Sequence, residues 1–294
     1  MDLWIAVTLS AAFFQTLRFM LHKVLSMGAL STTGSTFARF AWVVVGAYLA
    51  ARGAAVPDLS AVFWAYALAG ALGQILATSF VIALFRTRNF AVGITFKKTE
   101  VIQTAIMGLI VLGEEISAGG WGAILIGLLG VLMLSDTPGL QGNLLRRIGT
   151  RAVALGLASG FFFAISAVGY RGASLSLDSA DPLVRAGVTL VCVTSVQTLA
   201  MSLWLRWREP GQITAVWRAR RTAVWLGLTS MAGSLGWFTA YTLQTAAYVQ
   251  ALGQVELIFS LLASVLFFRE RPTLRELAGI GFLTLSILLL VLLL

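Results

Sequence analysis

The sequence predicts an all-α integral membrane protein with ten transmembrane helices in two inverted five-helix repeats. Three observations carry that prediction. Of 294 residues, 59% are hydrophobic and 11% charged, whereas soluble domains carry about 25% charged residues. A soluble domain still needs a polar surface, and a disordered chain needs the opposite balance. The apolar residues also fall into runs of about 20, the length that crosses roughly 30 Å of hydrocarbon at about 1.5 Å per residue. Finally, the second half of the chain echoes the first at a fixed offset.

In chain order the apolar segments are 3–24, 34–53, 60–85, 90–112, 119–135, 152–172, 182–205, 222–243, 247–267 and 273–293. The first carries Gln15, Arg18, His22 and Lys23, the second opens on Phe37-Ala38-Arg39-Phe40, and the third holds Gln74. The fourth carries Lys97, Lys98 and Glu100, and the fifth a Gly119, Ala123, Gly127 stripe of small residues that permits close helix contact. The sixth ends near Arg171, the seventh opens on Pro182 with Arg185 behind it, and the eighth holds Trp237 and Tyr241. The ninth carries Gln250, Gln254 and Glu256, and the tenth has Ala278, Gly279 and Gly281. Pro57, Pro138, Pro182, Pro210 and Pro272 all fall in breaks or at a first helical turn, where a missing N–H costs little. Connections are short except 136–151 and 206–221, and neither has room for a separate domain.

Eighteen of the 21 Lys and Arg lie at or near the breaks after odd-numbered segments, leaving Arg52, Arg171 and Arg185 for the other side. The positive-inside rule then puts both termini outside the cytoplasm. Membrane anchoring and orientation account for the net charge of +9, so nucleic acid is not an expected partner. One cysteine, Cys192, and one histidine, His22, exclude a disulfide framework and a Cys/His metal cluster. A nucleophile–base pair and a Gly-rich phosphate loop are likewise missing from the sequence, so no enzyme and no cofactor are expected. The N-terminus has no basic n-region and no small-residue cleavage site, and no signal peptide is expected.

The repeat is read from polar landmarks. Glu100 precedes Glu114 by 14 residues and Glu256 precedes Glu270 by the same 14, so one offset of 156 maps both pairs. Ser117 and Thr273 then coincide as N-caps of segments five and ten, each followed by a Gly/Ala-rich run. Residues 1–136 form the first repeat, 137–151 a basic linker and 152–294 the second repeat. Five helices per copy is an odd number, so the copies enter the membrane in opposite senses.

Leu112-Gly113-Glu114-Glu115-Ile116-Ser117 and Phe267-Phe268-Arg269-Glu270-Arg271-Pro272-Thr273, together with Arg39-Phe40, resemble the EamA family of the drug/metabolite transporter superfamily over nearly the whole chain. The resemblance implies a carrier of small metabolites, often an exporter of amino acids or related compounds, in a bacterial-type inner membrane. It also implies a cavity lined by helices one to four and six to nine. Ten-helix members are often drawn with both termini in the cytoplasm, opposite to the charge count.

A charge in the hydrocarbon core costs at least about 2.5–3.5 kcal/mol, which makes each one a candidate for function. Glu100 sits near the centre of segment four with Lys97 at i, i+3, and Lys98 projects about 100° to one side, toward a lumen or another carboxylate. The lysines suit an anionic group, and Glu100 a cationic group or coupling proton; the alternative is a structural ion pair. Glu256, with Gln254, occupies the equivalent place in segment nine. Gln15, Arg18 and His22 share one face of the first helix, and Gln74, Arg39 and Arg185 are further candidates. Trp237 and Tyr241, at i, i+4, supply ring faces for an ammonium group or an aromatic solute, or pack in the core.

Two lysines with two glutamates favour a zwitterion or an organic anion moved by alternating access. Carriage of phosphorylated or lipid-linked compounds and proton-coupled cation or drug efflux are the alternatives. The expected partners are a small-molecule substrate, the lipid bilayer and protons, with the chain a monomer or weak homodimer.

Overall fold

A computed structural model of the chain describes residues 2–26, 34, 37, 57–85, 96–134, 151–268 and 273–293. Among them every regular element is helical. In order these are α1 (Leu3–Ser26), α2 (Ala61–Phe85), α3 (Glu100–Leu112), α4 (Ala118–Leu134), α5 (Arg151–Leu175), α6 (Pro182–Arg208), α7 (Gln212–Arg218), α8 (Arg220–Leu243), α9 (Ala246–Gly253), α10 (Val255–Phe268) and α11 (Leu274–Leu293). Four of them, α2, α5, α6 and α11, are long and apolar enough to cross a membrane. Segment 34–53 apart from Gly34 and Phe37, the linker 137–150, Arg39 and Arg269-Glu270-Arg271 lie outside the described residues.

Helix ends follow from local chemistry. Asp181 accepts from the Leu183 N–H at 2.9 Å and Pro182 takes the first helical position of α6. Ser117 Oγ accepts from the Gly120 N–H at 3.0 Å and opens α4. Thr273 Oγ1 accepts from the Glu276 N–H at 3.2 Å while the Glu276 carboxylate accepts from the Thr273 N–H, a reciprocal capping box that opens α11. Gly113 closes α3 with φ of 66°; its N–H reaches the Leu109 carbonyl and the Glu114 N–H reaches that of Gly108. That left-handed position is why a glycine stands in Leu112-Gly113-Glu114.

Two segments depart from the expected continuous helix. Segment 247–267 is two helices, α9 and α10, parted at Gln254. In segment 90–112 the helical residues Phe96 and Lys97 are parted from α3 by a turn at Lys98 and Thr99. Neither break holds a proline, so the pattern of apolar residues gives no warning.

The chain forms two compact units, each drawing on both halves of the sequence. The first comprises Met1–Ala71 and Gly169–Gln244. In it α1 packs on α8 at small residues: a Cβ added at Gly236 would stand 2.8 Å from that of Ala11. Arg171, at the end of α5, donates to the carbonyls of Tyr241 and Gln244 at 2.6 Å each, placing a cation on the C-terminus of α8. Ser174 and Thr242 hydrogen bond beside it.

The second unit comprises Leu72–Val168 and Thr245–Leu294. Here α4 packs on α11, and the small residues of α4 are used within the chain. A Cβ at Gly127 would meet Ser286 Oγ at 2.6 Å, and one at Gly130 would meet the Gly279 carbonyl at 2.7 Å and the Leu283 nitrogen at 2.8 Å. Ser286 Oγ donates to the Ala123 carbonyl at 2.7 Å. Gly119, expected in the stripe, is exposed, and Gly120 instead lies against the Tyr248 hydroxyl.

Candidate functional site

Both helix breaks of the second unit carry the polar residues singled out from sequence. At the first, the Thr99 hydroxyl donates to the Phe96 carbonyl at 2.7 Å, beside the Thr99 N–H, which donates to the same oxygen at 3.2 Å and closes the turn. At the second, Gln254 Nε2 donates to the Gln250 carbonyl at 3.3 Å. A glutamate follows in the first turn after each break, Glu100 in α3 and Glu256 in α10, where the helix dipole favours negative charge.

The chain folds so that these breaks meet. Lys98 Nζ donates to Gln254 Oε1 and to Glu256 Oε1, each at 3.4 Å. Lys97 Nζ pairs with Glu100 Oε2 at 2.8 Å and stands 4.6 Å over the ring of Phe163. The two ammonium groups thus balance two carboxylates, in side chains only 8–17% exposed. The pairs differ in kind. Lys97–Glu100 is short, local to one stretch of chain and braced by an aromatic ring. Lys98–Glu256 is longer and joins positions 158 residues apart. A cavity of about 10 Å³ adjoins Lys98, Val101, Ile124, Gly127 and Gln254, enough for about one water.

Some supporting residues were not singled out from sequence. Gln103 Nε2 donates to Thr99 Oγ1 at 3.0 Å, and Gly160 lets α5 come close, since a Cβ there would lie 3.0 Å from the Lys97 carbonyl. Phe163 reads in the sequence as one more apolar residue of segment six. Only the run Gly160-Phe161-Phe162-Phe163, small then bulky, marks the place.

The first unit holds a second group of predicted residues. Gln15 Oε1 accepts from Trp237 Nε1 at 3.0 Å and from Arg18 Nη2 at 3.1 Å. Trp237 stacks on Tyr241, with centroids 6.0 Å apart and planes at 26°. Arg18 is buried, 8% exposed, although it lies near the end of the first segment. Tyr170 stacks on Phe238 and accepts from Gln197 Nε2 at 3.2 Å, extending the polar–aromatic layer. Gln74 stands half-buried on the part of α2 that belongs to the second unit. His22 lies in α1, and its side chain is outside the described residues.

This combination of apolar helices and buried charges defines a polytopic membrane protein with ionised groups at helix breaks. Residues 150–292 match the model of the EamA-like transporter family, a family of the drug/metabolite transporter superfamily. The match falls on the second half of the chain. Members of the family are membrane transporters rather than enzymes, and this protein is a multi-pass membrane protein of that transporter type. No curated protein matches the sequence. Among solved structures, one described only as "Crystal structure of protein" is similar with a TM-score of 0.75, covering 99% of this chain and 96% of its own at 16% identity. That likeness concerns the fold alone, and it extends to the half of the chain that the family match leaves out.

Proposed function

We propose that the chain is a ten-helix carrier of two inverted five-helix repeats in a bacterial-type inner membrane. In this reading it exports amino acids or related zwitterions and organic anions by alternating access. The observation that carries the reading is the bond from Lys98 to Gln254 and Glu256 at facing helix breaks. Carriers of this architecture bind solute where interrupted helices expose half-helix ends near the membrane midplane. The repeat reading gains support from reciprocal contacts at the offset of 156. Lys98 meets Gln254, its own counterpart. Gly127 faces Ser286, the counterpart of Gly130, and Gly130 faces Leu283, the counterpart of Gly127. Self-complementary contact of this kind is what a two-fold relation produces.

Charge balance argues for a zwitterion. A solute carrying both a carboxylate and an ammonium can replace the Lys98–Glu256 pair group for group, without leaving either ion unpaired. A simple anion would take up Lys98 and match nothing on Glu256, and a lipophilic cation the reverse, so neither replaces the pair as a whole. Lys97 and Glu100 hold the break in shape. Gln15, Arg18, Trp237 and Tyr241 are the solute-contacting candidates of the first unit, with Gln74 and His22 further polar candidates. Phosphorylated or lipid-linked solutes, and proton-coupled cation efflux through Glu100 and Glu256, are the rival readings.

The test is a thermal-shift screen of purified protein against a metabolite library, repeated on Lys98→Ala and Glu256→Gln. Zwitterions should stabilise the wild type and neither variant. A solute that shifts all three equally would remove the proposed site, and hits confined to phosphorylated compounds or hydrophobic cations would transfer the case to a rival. A C-terminal reporter active only in the cytoplasm tests orientation. The charge count expects it to be silent.

A further inference from the structure

The segment joining α6 to α8 is a helical elbow. Gly211, with φ of 93°, turns the chain into the short helix α7. Val216 of α7 is buried with Leu205 of α6 and with Ala223 and Leu226 of α8. These buried contacts fix the elbow's shape from within, so its outer surface is displayed on a firm base.

That outer surface has an unusual composition. Arg206, Arg208, Arg218, Arg220 and Arg221 are all exposed, and Glu209 is the one acid between Trp204 and Arg221. Trp207, Trp217 and Trp225 are 71%, 63% and 63% exposed. Water does not favour so many bare indoles, whereas the headgroup layer of a bilayer does. At the end of α6 the two residue types are combined into one device. The Arg208 guanidinium lies 4.3 Å over the Trp207 ring and 5.7 Å from that of Trp204, and the two indoles meet edge to face at 6.3 Å. The guanidinium centre is within cation–π range of both indoles, which position it through its π face and leave its N–H groups to donate, and a guanidinium can take a phosphate in two parallel hydrogen bonds.

From this we infer that the elbow is a docking surface for anionic phospholipid headgroups of the adjoining leaflet. The Trp204–Arg208–Trp207 stack grips the phosphate, and Arg206, Arg218, Arg220 and Arg221 supply the surrounding positive field. The indoles rest at the level of the glycerol and upper acyl chains. Charge complementarity selects the occupant, because a zwitterionic headgroup brings its own ammonium and gains little from five arginines.

Native mass spectrometry of the protein in mixed micelles with equal phosphatidylglycerol and phosphatidylcholine tests this. The wild type should retain phosphatidylglycerol about five-fold or more over phosphatidylcholine, the factor that one engaged arginine supplies. Arg206→Gln with Arg208→Gln should bring the ratio close to one. So should Trp204→Leu with Trp207→Leu, a variant that keeps every positive charge and hence the signal that orients the chain. Arg275→Gln, an exposed arginine on α11, should leave the ratio unchanged. Should a variant fail to fold, the wild-type ratio itself must fall as salt rises from about 0.05 to about 0.5 M. A wild-type ratio near one, a ratio indifferent to salt, or a preference that survives both double variants would overturn the inference.

Discussion

Lys98 and Glu256 form the contact on which the transport reading turns, and their energetics can be isolated. At 3.4 Å their attraction amounts to about 5 kcal/mol for an effective dielectric of about 20. Dehydrating both ions and ordering both side chains cancels a large part of it. Removing one partner is different, because the surviving ion stays mostly buried, and such losses run to about 3–5 kcal/mol. Lys98→Met and Glu256→Leu should therefore each be strongly destabilising, and the double variant no worse than either single one. Reversible unfolding in mixed micelles supplies the four free energies of the cycle. A coupling of about 2 kcal/mol or more is expected, and additivity to within about 0.5 kcal/mol would refute the reasoning. Exchanging the ions, Lys98→Glu with Glu256→Lys, adds a functional arm. The Coulomb term survives the exchange, but each group now stands where its opposite stood. Stability should largely return while the wild-type solute no longer produces a thermal shift; a full shift in the exchanged protein would mean that the pair is structural only.

Other variants report on packing and capping. Gly130→Leu forces a side chain onto the backbone of α11 at Gly279 and Leu283, where nothing flexible can yield, and should cost at least about 1–3 kcal/mol, read as a fall in folded protein on size exclusion. In Gly120→Ala the new methyl meets the Tyr248 side chain, so Tyr248→Leu should restore part of the loss in the same unfolding assay. Arg171→Gln takes a cation from the C-terminus of α8, and amide exchange should speed up at 240–245 while the first turns of α8 keep their protection. Trp237→Phe deletes the bond to Gln15, and the lost bond should cost about 0.5–1.5 kcal/mol in the same unfolding assay.

Helices and their ends were legible because each rests on a local rule. Apolar run length placed α1, α2, α5, α6 and α11, and short local signals placed the starts of α4, α6 and α11 at Ser117, Pro182 and Thr273. The candidate site was legible in its members, because an ion in an apolar run is conspicuous whatever it touches. Its partnerships were not. Lys98 was open to a lumen or to a carboxylate, and only the packed chain joins it to Glu256. Phe163 and Gly160 were hidden because a ring or a missing side chain in an apolar helix carries no mark until a lysine lies against it.

The breaks at Lys98 and Gln254 bring out the physical reason. A helix in hydrocarbon keeps every backbone hydrogen bond unless something else can satisfy the freed groups. Here turn hydrogen bonds, such as that from the Thr99 N–H to the Phe96 carbonyl, are supplemented by side chains already in the sequence. Thr99 serves the Phe96 carbonyl, Gln254 serves that of Gln250, and Glu100 and Glu256 lie at the new N-termini. Read singly, each of these residues is a mild anomaly in a long apolar run. Read at their common offset, they fall in the same order, with a polar side chain at each break and a glutamate in the turn that follows it. Lys98 and Gln254 each lie at a break, and there they meet. The Lys98 ammonium donates to the Gln254 side chain, so each break contributes one partner to the contact. Thr99→Val should accordingly weaken break and contact at once, slowing no chemistry but loosening the Lys98–Glu256 coupling measured in the cycle above. Unchanged coupling in that variant would mean that the break is fixed by packing alone.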